Sequence, residues 1–369
     1  MGGLIFYILI VCSGAYFRKI GIGLVHGAFM LAAGGYIITT VIDKSIYMSK
    51  RMFFAYILIG YVTIQFLLLG GEIKTLGVIY FATIYYYLII NFGNYFSAAK
   101  IVHCTKHYLN FSIAMLCIET IYRIINPDEA AVAYLAPGAD FCNGLFYAYK
   151  TNSIMFLDSN FTGLFSVVLF CTCEYLVLLR LGKFRLKRLA LIILTFCTFS
   201  RAAIAALVVS KLLLVAIKLR KDKIVLQWKR LVVILTILAV GGMYLFTSIN
   251  DGSLTSKFYI LQEASNYFSN ADLTTILFGV GQNRSEKVLG IYAHNIFLVL
   301  AIEIGIIGLL LFLIFWVQLI FPHKLTLIVF IPFVFAGMSA FTYAMTYLYS
   351  AVAIIQLLEN KRKNGRWEG

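Results

Sequence analysis

Long apolar runs alternate with short polar stretches along the whole chain, and the runs recur at about the 20-residue length a helix needs to cross a bilayer. Continuous runs of this kind predict helices, not the alternating strands of an outer-membrane barrel. The sequence therefore predicts an all-α polytopic membrane protein with about twelve transmembrane helices. The predicted spans are 1–17, 20–42, 52–70, 75–97, 109–126, 161–180, 188–200, 202–219, 231–248, 294–320, 325–341 and 343–359. The run at 188–200 is short for a span, and 325–359 is also compatible with one re-entrant hairpin. Two segments, 127–160 and 249–293, exceed the length of turns and form the larger loops of a single integral membrane domain spanning 1–369.

Composition agrees with the pattern. Hydrophobic residues make up 62% of the chain, charged residues 13%, and mean hydropathy is +0.90, which excludes a water-soluble domain of this length. The net charge of +15 changes the picture only through its distribution. With the N-terminus inside, most of the Lys and Arg residues fall on cytoplasmic segments, notably 180–188, 218–230 and the C-terminal 361–366, as the positive-inside rule requires. Both termini are then cytoplasmic and both large loops external. Arg18 and Lys19 run against the rule. The charge reads as topology and attraction to anionic membrane lipids, and no basic soluble domain exists to hold nucleic acid.

The seven cysteines lie mostly inside predicted helices and imply no disulfide framework. Cys171-Thr-Cys173 lacks a second pair or a neighbouring histidine, so no metal is implied. The chain begins without a charged region ahead of its apolar run, which argues against a signal peptide.

Candidate chemistry gathers at the external rim. Ser200 is placed to cap the helix that follows, and Arg201 then stands in its first turn, where free N–H groups and the helix dipole already favour an anion. The alternative is that Arg201 reaches to lipid headgroups. Asp158 either orients a substrate group or caps the helix starting near Asn160. Gly279-Val-Gly281 is followed by Arg284 and Lys287, then by His294-Asn295 at the head of an apolar run holding Glu303, Gly305 and Gly308. Of the five histidines, His103, His107 and His323 face the cytoplasm on this topology, His26 lies in the membrane, and His294 adjoins an external loop. It is either a base or a residue at a helix start. Along one continuous helix, nine residues at about 100° each put Glu303 on the face opposite His294, so its partner is sought in Lys211 or a polar backbone site. Glu119 and Arg123, four apart with the acid first, predict a mutual salt bridge, and Glu174 is a second candidate partner for Lys211.

The order Asp158-Ser-Asn160, Ser200-Arg201-Ala202, Gly279-Val-Gly281, then His294-Asn295 with Glu303-x-Gly305-Ile-Ile-Gly308 resembles the O-antigen polymerase and ligase superfamily of bacterial envelope glycosyltransferases, the Wzy and WaaL type, over about residues 155–315. The resemblance implies a multi-pass enzyme of the bacterial cytoplasmic membrane, with its site on the outer face. It would act on undecaprenyl-diphosphate-linked oligosaccharide, without metal or cofactor, beside a flippase and a chain-length regulator as candidate partners. Transfer from a lipid diphosphate demands cations on the departing diphosphate and a base for the acceptor hydroxyl. Arg201 and Arg284 are the candidates for the first task, Lys287 supports them, and His294 is the candidate base. Asp158, Asn160, Asn295, Gly279 and Gly281 complete the expected substrate-binding set.

Two readings compete within the family: a polymerase joining lipid-linked repeat units, and a ligase passing finished glycan to lipid A core or another acceptor. The resemblance leans to the polymerase, because variable, aromatic-rich sequences of this size around sparse motifs are common there. A flippase or secondary transporter would also carry many helices, but paired halves and ionisable residues at matching depths are not evident in the sequence. A nucleotide-sugar glycosyltransferase would need a cytoplasmic nucleotide domain, and the cytoplasmic segments are short and basic.

Overall fold

In the computed structural model, the described residues are 2–17, 21, 23–43, 53–129, 148–156, 158–220, 223–227, 252–338 and 345–364, with a few isolated positions between 229 and 236. The expected span 231–248, the centre of the 127–160 loop and the basic residues Arg18, Lys19, Lys44, Lys50 and Arg51 fall outside them.

The chain is helical. Helices α1 (Gly2–Val11), α2 (Leu24–Asp43), α3 (Phe53–Leu69), α4 (Ile73–Gly93) and α5 (Ala98–Ile125) precede the first large loop. After it come α6 (Ser159–Leu178), α7 (Arg185–Phe196) and α8 (Arg201–Ala216). The second large loop contains α9 (Gly252–Asn270), α10 (Leu273–Phe278) and α11 (Ser285–Leu289). The chain then forms α12 (Ile296–Glu303), α13 (Gly305–Ile320), α14 (Leu327–Gly337) and α15 (Thr346–Lys363).

Helix α6 is mainly apolar and is enclosed almost to its last turn, from Ser159 to Leu176, which makes it the axis of the bundle. Helix α15 is enclosed in the same way and packs against α4, α5 and α6. Helices α7, α8 and α14 close the other side of α6. At the periphery, α2 and α3 turn Met30, Leu31, Ile37, Val41, Leu67 and Leu68 outward. An exposed apolar surface of this extent is unfavourable in water and suits hydrocarbon. Among the described residues, four helical stretches, Leu24–Ile42, Ile73–Gly93, Ala98–Ile125 and Ser159–Leu178, are long and apolar enough to cross a membrane. The pair Gly305–Ile320 and Lys324–Gly337, bent by 114°, adds a fifth if it forms one span. The other expected spans are shorter, interrupted or outside the described residues.

Two expectations are corrected. The stretch 294–320 is not one helix: it breaks at Ile304, where Gly305 adopts φ 71°. The reason lies in the preceding loop, because the N–H groups of Val280 and Gly281 donate to the carbonyls of Ile302 and Glu303 at 2.9 and 3.1 Å. Backbone of the Gly279–Gly281 turn thus takes over acceptors at the end of α12, and Cβ atoms at Gly279 or Gly305 would collide with facing backbone. Tyr61 and Gln65 of α3 bind the freed carbonyls of Ile304 and Glu303 at 2.7 and 2.6 Å. Secondly, the helix predicted over 202–219 ends at Ala216. Ile217–Arg220 and Lys223–Leu226 instead pair antiparallel, in register Ile217 to Leu226, following the alternation Ile217-Lys218-Leu219-Arg220.

Interior ion pairs fix the helices around α6. Glu174 accepts from Lys211 at 2.7 Å and from Arg188 at 3.2 Å, joining α6, α7 and α8. Lys211 is therefore not the partner of Glu303. That carboxylate sits 2.6 Å from the Ser285 hydroxyl and accepts from it. Glu119 and Arg123 form the expected pair at 3.3 Å, almost fully enclosed.

A candidate anion-transfer site at three helix starts

Three helix N-termini meet at one end of the bundle, each held by the residue type its sequence offers. Asp158 caps α6 through the Asn160 N–H at 2.8 Å, Ser200 caps α8 through the Ala203 N–H at 3.3 Å, and Asn295 caps α12 through the N–H groups of Phe297 and Leu298 at 3.0 and 3.2 Å. The caps are themselves linked. The Ser200 hydroxyl donates to Asn160 Oδ1 at 2.8 Å, and Asn160 Nδ2 donates back to Asp158 at 3.1 Å. Asp158, Asn160 and Ser200 therefore form one chain, with Arg201 in the first turn of α8 and open to solvent. Three helix dipoles directing positive ends into one region favour an anion there.

Side-chain charges collect at the same place. Lys150, just ahead of α6, feels both Asp158 and Arg201, and Lys257 of α9 feels Lys150 and Arg201. Burial lowers both ammonium pKa values; Asp158 counteracts this at Lys150, while the neighbouring cations add to it at Lys257. His294 joins the cluster. Its ring is open to the cavity, yet desolvation by the surrounding protein is the largest influence on it and pushes its pKa below the ordinary 6.5. The Asp158 carboxylate opposes that shift, and Lys150 and Lys257 reinforce it. The outcome is an imidazole kept neutral among cations, the protonation state a base requires.

A cavity of about 320 Å³ opens beside this cluster. His294, Asn295 and Lys257 form its polar edge, and Phe258, Leu298 and Met338 are among its apolar walls. A charged rim over an apolar recess suits an amphiphile with an anionic head.

The structure thus brings together Arg201, His294, Asp158, Asn160 and Asn295 from the expected set. Arg284 lies elsewhere: its guanidinium packs against Gly70 and donates to the Val280 carbonyl at 3.2 Å, on the turn between α3 and α4. Lys287 is exposed on α11. Gly279 and Gly281 meet backbone at the α12–α13 break and at Gly70. Lys150 and Lys257 were missed as site residues. Lys150 is the one basic residue of 127–160 and Lys257 one of three in 249–293, and only the folded chain carries them to Arg201.

Comparison with known proteins follows the same outline. Residues 188–313 match the family model described as O-antigen ligase, a range that holds Arg201, Lys257 and His294. No curated protein and no solved structure gave a match.

Proposed function

We propose that the chain, whose residues 188–313 match the O-antigen ligase family model, is a membrane glycosyltransferase of the O-antigen polymerase and ligase superfamily, and within it a polysaccharide polymerase. In this reading it transfers an undecaprenyl-diphosphate-linked glycan to a sugar hydroxyl of a second lipid-linked repeat unit, at the outer face of the bacterial cytoplasmic membrane. One observation carries the reading: a histidine whose pKa burial lowers, three side-chain cations and three helix N-termini cluster beside one cavity that is edged by His294, Asn295 and Lys257 and otherwise mainly apolar.

The chemistry follows from that arrangement. The lipid lies along the apolar wall and its diphosphate against Arg201, with Lys150 and Lys257 adding charge. His294 removes the proton of the acceptor hydroxyl as its oxygen attacks the anomeric carbon, and the bond to the diphosphate oxygen breaks. Negative charge grows on that diphosphate oxygen, where prearranged cations and dipoles stabilise it. Asp158, whose charge acts on His294, stabilises the imidazolium that forms. Charge neutralisation in this scheme belongs to side chains and not to a metal. Arg284 and Lys287, within the second large loop but away from this cluster, are assigned no direct contact with the diphosphate in this scheme.

The ligase reading is favoured by the description of the matching family. Purified protein given only lipid-linked repeat units separates the two. A polymerase makes a ladder of lengthening glycans from that single substrate. A ladder that forms only after a distinct acceptor is added would instead identify a ligase, and no glycan transfer under either condition would remove both readings.

A further inference from the structure

Sequence spacing accounts for Glu119 and Arg123 as a helical salt bridge, but their other bonds reach well beyond α5. The pair is 0% and 1% exposed and the charges approach to 3.3 Å. A pair serving only the helix would sit at its surface, since burying two charges is unfavourable unless their remaining hydrogen-bonding groups are used. Here they are used on connecting segments: a short helical turn at 148–151 and non-helical backbone at 154–155 and 197. Arg123 Nη1 donates to the Tyr149 carbonyl at 2.8 Å and Nη2 to the Cys197 carbonyl at 3.1 Å. Glu119 Oε2 accepts from the N–H groups of Ile154 and Met155 at 3.0 and 3.2 Å.

Each anchored atom adjoins a residue of the site. Tyr149 precedes Lys150, Cys197 begins the turn that delivers Ser200 and Arg201, and Met155 lies three residues before Asp158. That turn holds Phe199 at φ 54°, an unfavourable conformation for a side chain of that size, and the Phe199 ring contacts Tyr149 at 6.0 Å. One guanidinium therefore fixes both the segment bearing Lys150 and the turn bearing Arg201. We propose that Glu119 and Arg123 are positioning residues, holding Lys150, Asp158 and Arg201 in mutual register from beneath the site without touching substrate.

The activity arm of the test rests on the polymerase or ligase reading; the structural arm does not. Arg123→Lys keeps the charge beside Glu119 but cannot reach both carbonyls. The expected result is amide exchange at least about tenfold faster in the peptide 148–156, with α5 unchanged, since only the tethered segment loses its anchor. Turnover should fall by about 10²-fold, the scale of a misplacement near 1 Å, with a much smaller change in KM. Glu119→Gln, whose carbonyl oxygen still accepts the two N–H groups, should retain more turnover than Glu119→Ala. Should Arg123→Lys fail to accumulate, Glu119→Asp carries the same test, because its shorter reach releases Ile154 and Met155. Unchanged exchange over 148–156 in a folded variant overturns the proposal directly. Faster exchange with unchanged turnover overturns it by removing the tethered segments from the site.

Discussion

In the proposed reaction, the division of labour is between His294, which must gain and then release a proton, and the cations, which must not titrate. His294 is held neutral chiefly by desolvation, with Asp158 pulling the other way. The sign of the pH dependence follows. A base works in its neutral form, so kcat/KM should be flat near pH 7 and fall as the solution becomes more acidic than the depressed histidine pKa. Asp158→Asn removes the charge that raises that pKa and keeps a side chain able to cap α6, so the acid limb should move to lower pH, by up to about one unit. A pH–rate profile checks this, and a limb moving upward would contradict the assigned coupling. His294→Gln should be as inactive as His294→Ala, because glutamine can hydrogen-bond but cannot take the proton. Long glycan from a normally expressed His294→Gln protein would leave the cations acting alone. For Arg201, lysine retains charge and loses the paired donors, so Arg201→Lys should lower kcat by about 10²-fold with the fold intact. Unchanged turnover would return Arg201 to the role of a lipid anchor. Helix caps made these residues partly legible in advance: Ser200 and Asp158 each cap a helix, as their types and positions suggest. The positions of Lys150 and Lys257 were not legible, since nothing local marks a lysine that acts across loops.

Between residues and the bundle stand the elements, and the decisive one is the interruption between α12 and α13. Hydropathy sees only a continuous apolar run there, because Gly305 leaves a gap in polarity no larger than any other glycine. The break instead depends on a contact from 26 residues earlier in the chain, where Gly279 presses its backbone against Glu303 and Gly305. Long-range backbone packing leaves no periodic trace, which is why the sequence predicts one helix and the fold contains two. The same contact explains the glycines of the Gly279-Val-Gly281 motif: both have positive φ, 82° and 97°, and Gly279 has no room for a side chain. Gly305→Ala should destabilise the protein by about 1–3 kcal/mol or more, from the left-handed backbone and from collision with the Leu277 carbonyl. Gly290, also left-handed but with open space at its Cβ, should tolerate alanine at a smaller cost. Thermal unfolding in detergent measures both. Equal losses at the two sites would mean that the close approach at the break contributes nothing.

For the whole molecule, the polar ends of the bundle differ in chemistry. At one end are the site and its caps. At the other, Lys106 and Lys187 lie 6.0 and 5.4 Å from the Phe184 ring, Lys361 donates to the Asn94 carbonyl at 2.7 Å, and His323 meets Asn360 at 2.9 Å. The helical and membrane character was readable from the apolar runs, since burial in lipid imposes one length and one polarity on every span. By the positive-inside rule, the charge bias leads us to propose an orientation with the basic end inside and the site outside. That orientation predicts opposite accessibility for two exposed positions: Lys183, between α6 and α7, and Asn270, at the end of α9. In a background without the seven native cysteines, Asn270→Cys should react with a membrane-impermeant maleimide in intact cells. Lys183→Cys should react only after the membrane is permeabilised. Labelling of both from one side would break the link between charge and topology. Labelling in the reverse order would put the cation-lined cavity in the cytoplasm, where a lipid-linked glycan already moved to the outer face could not reach it.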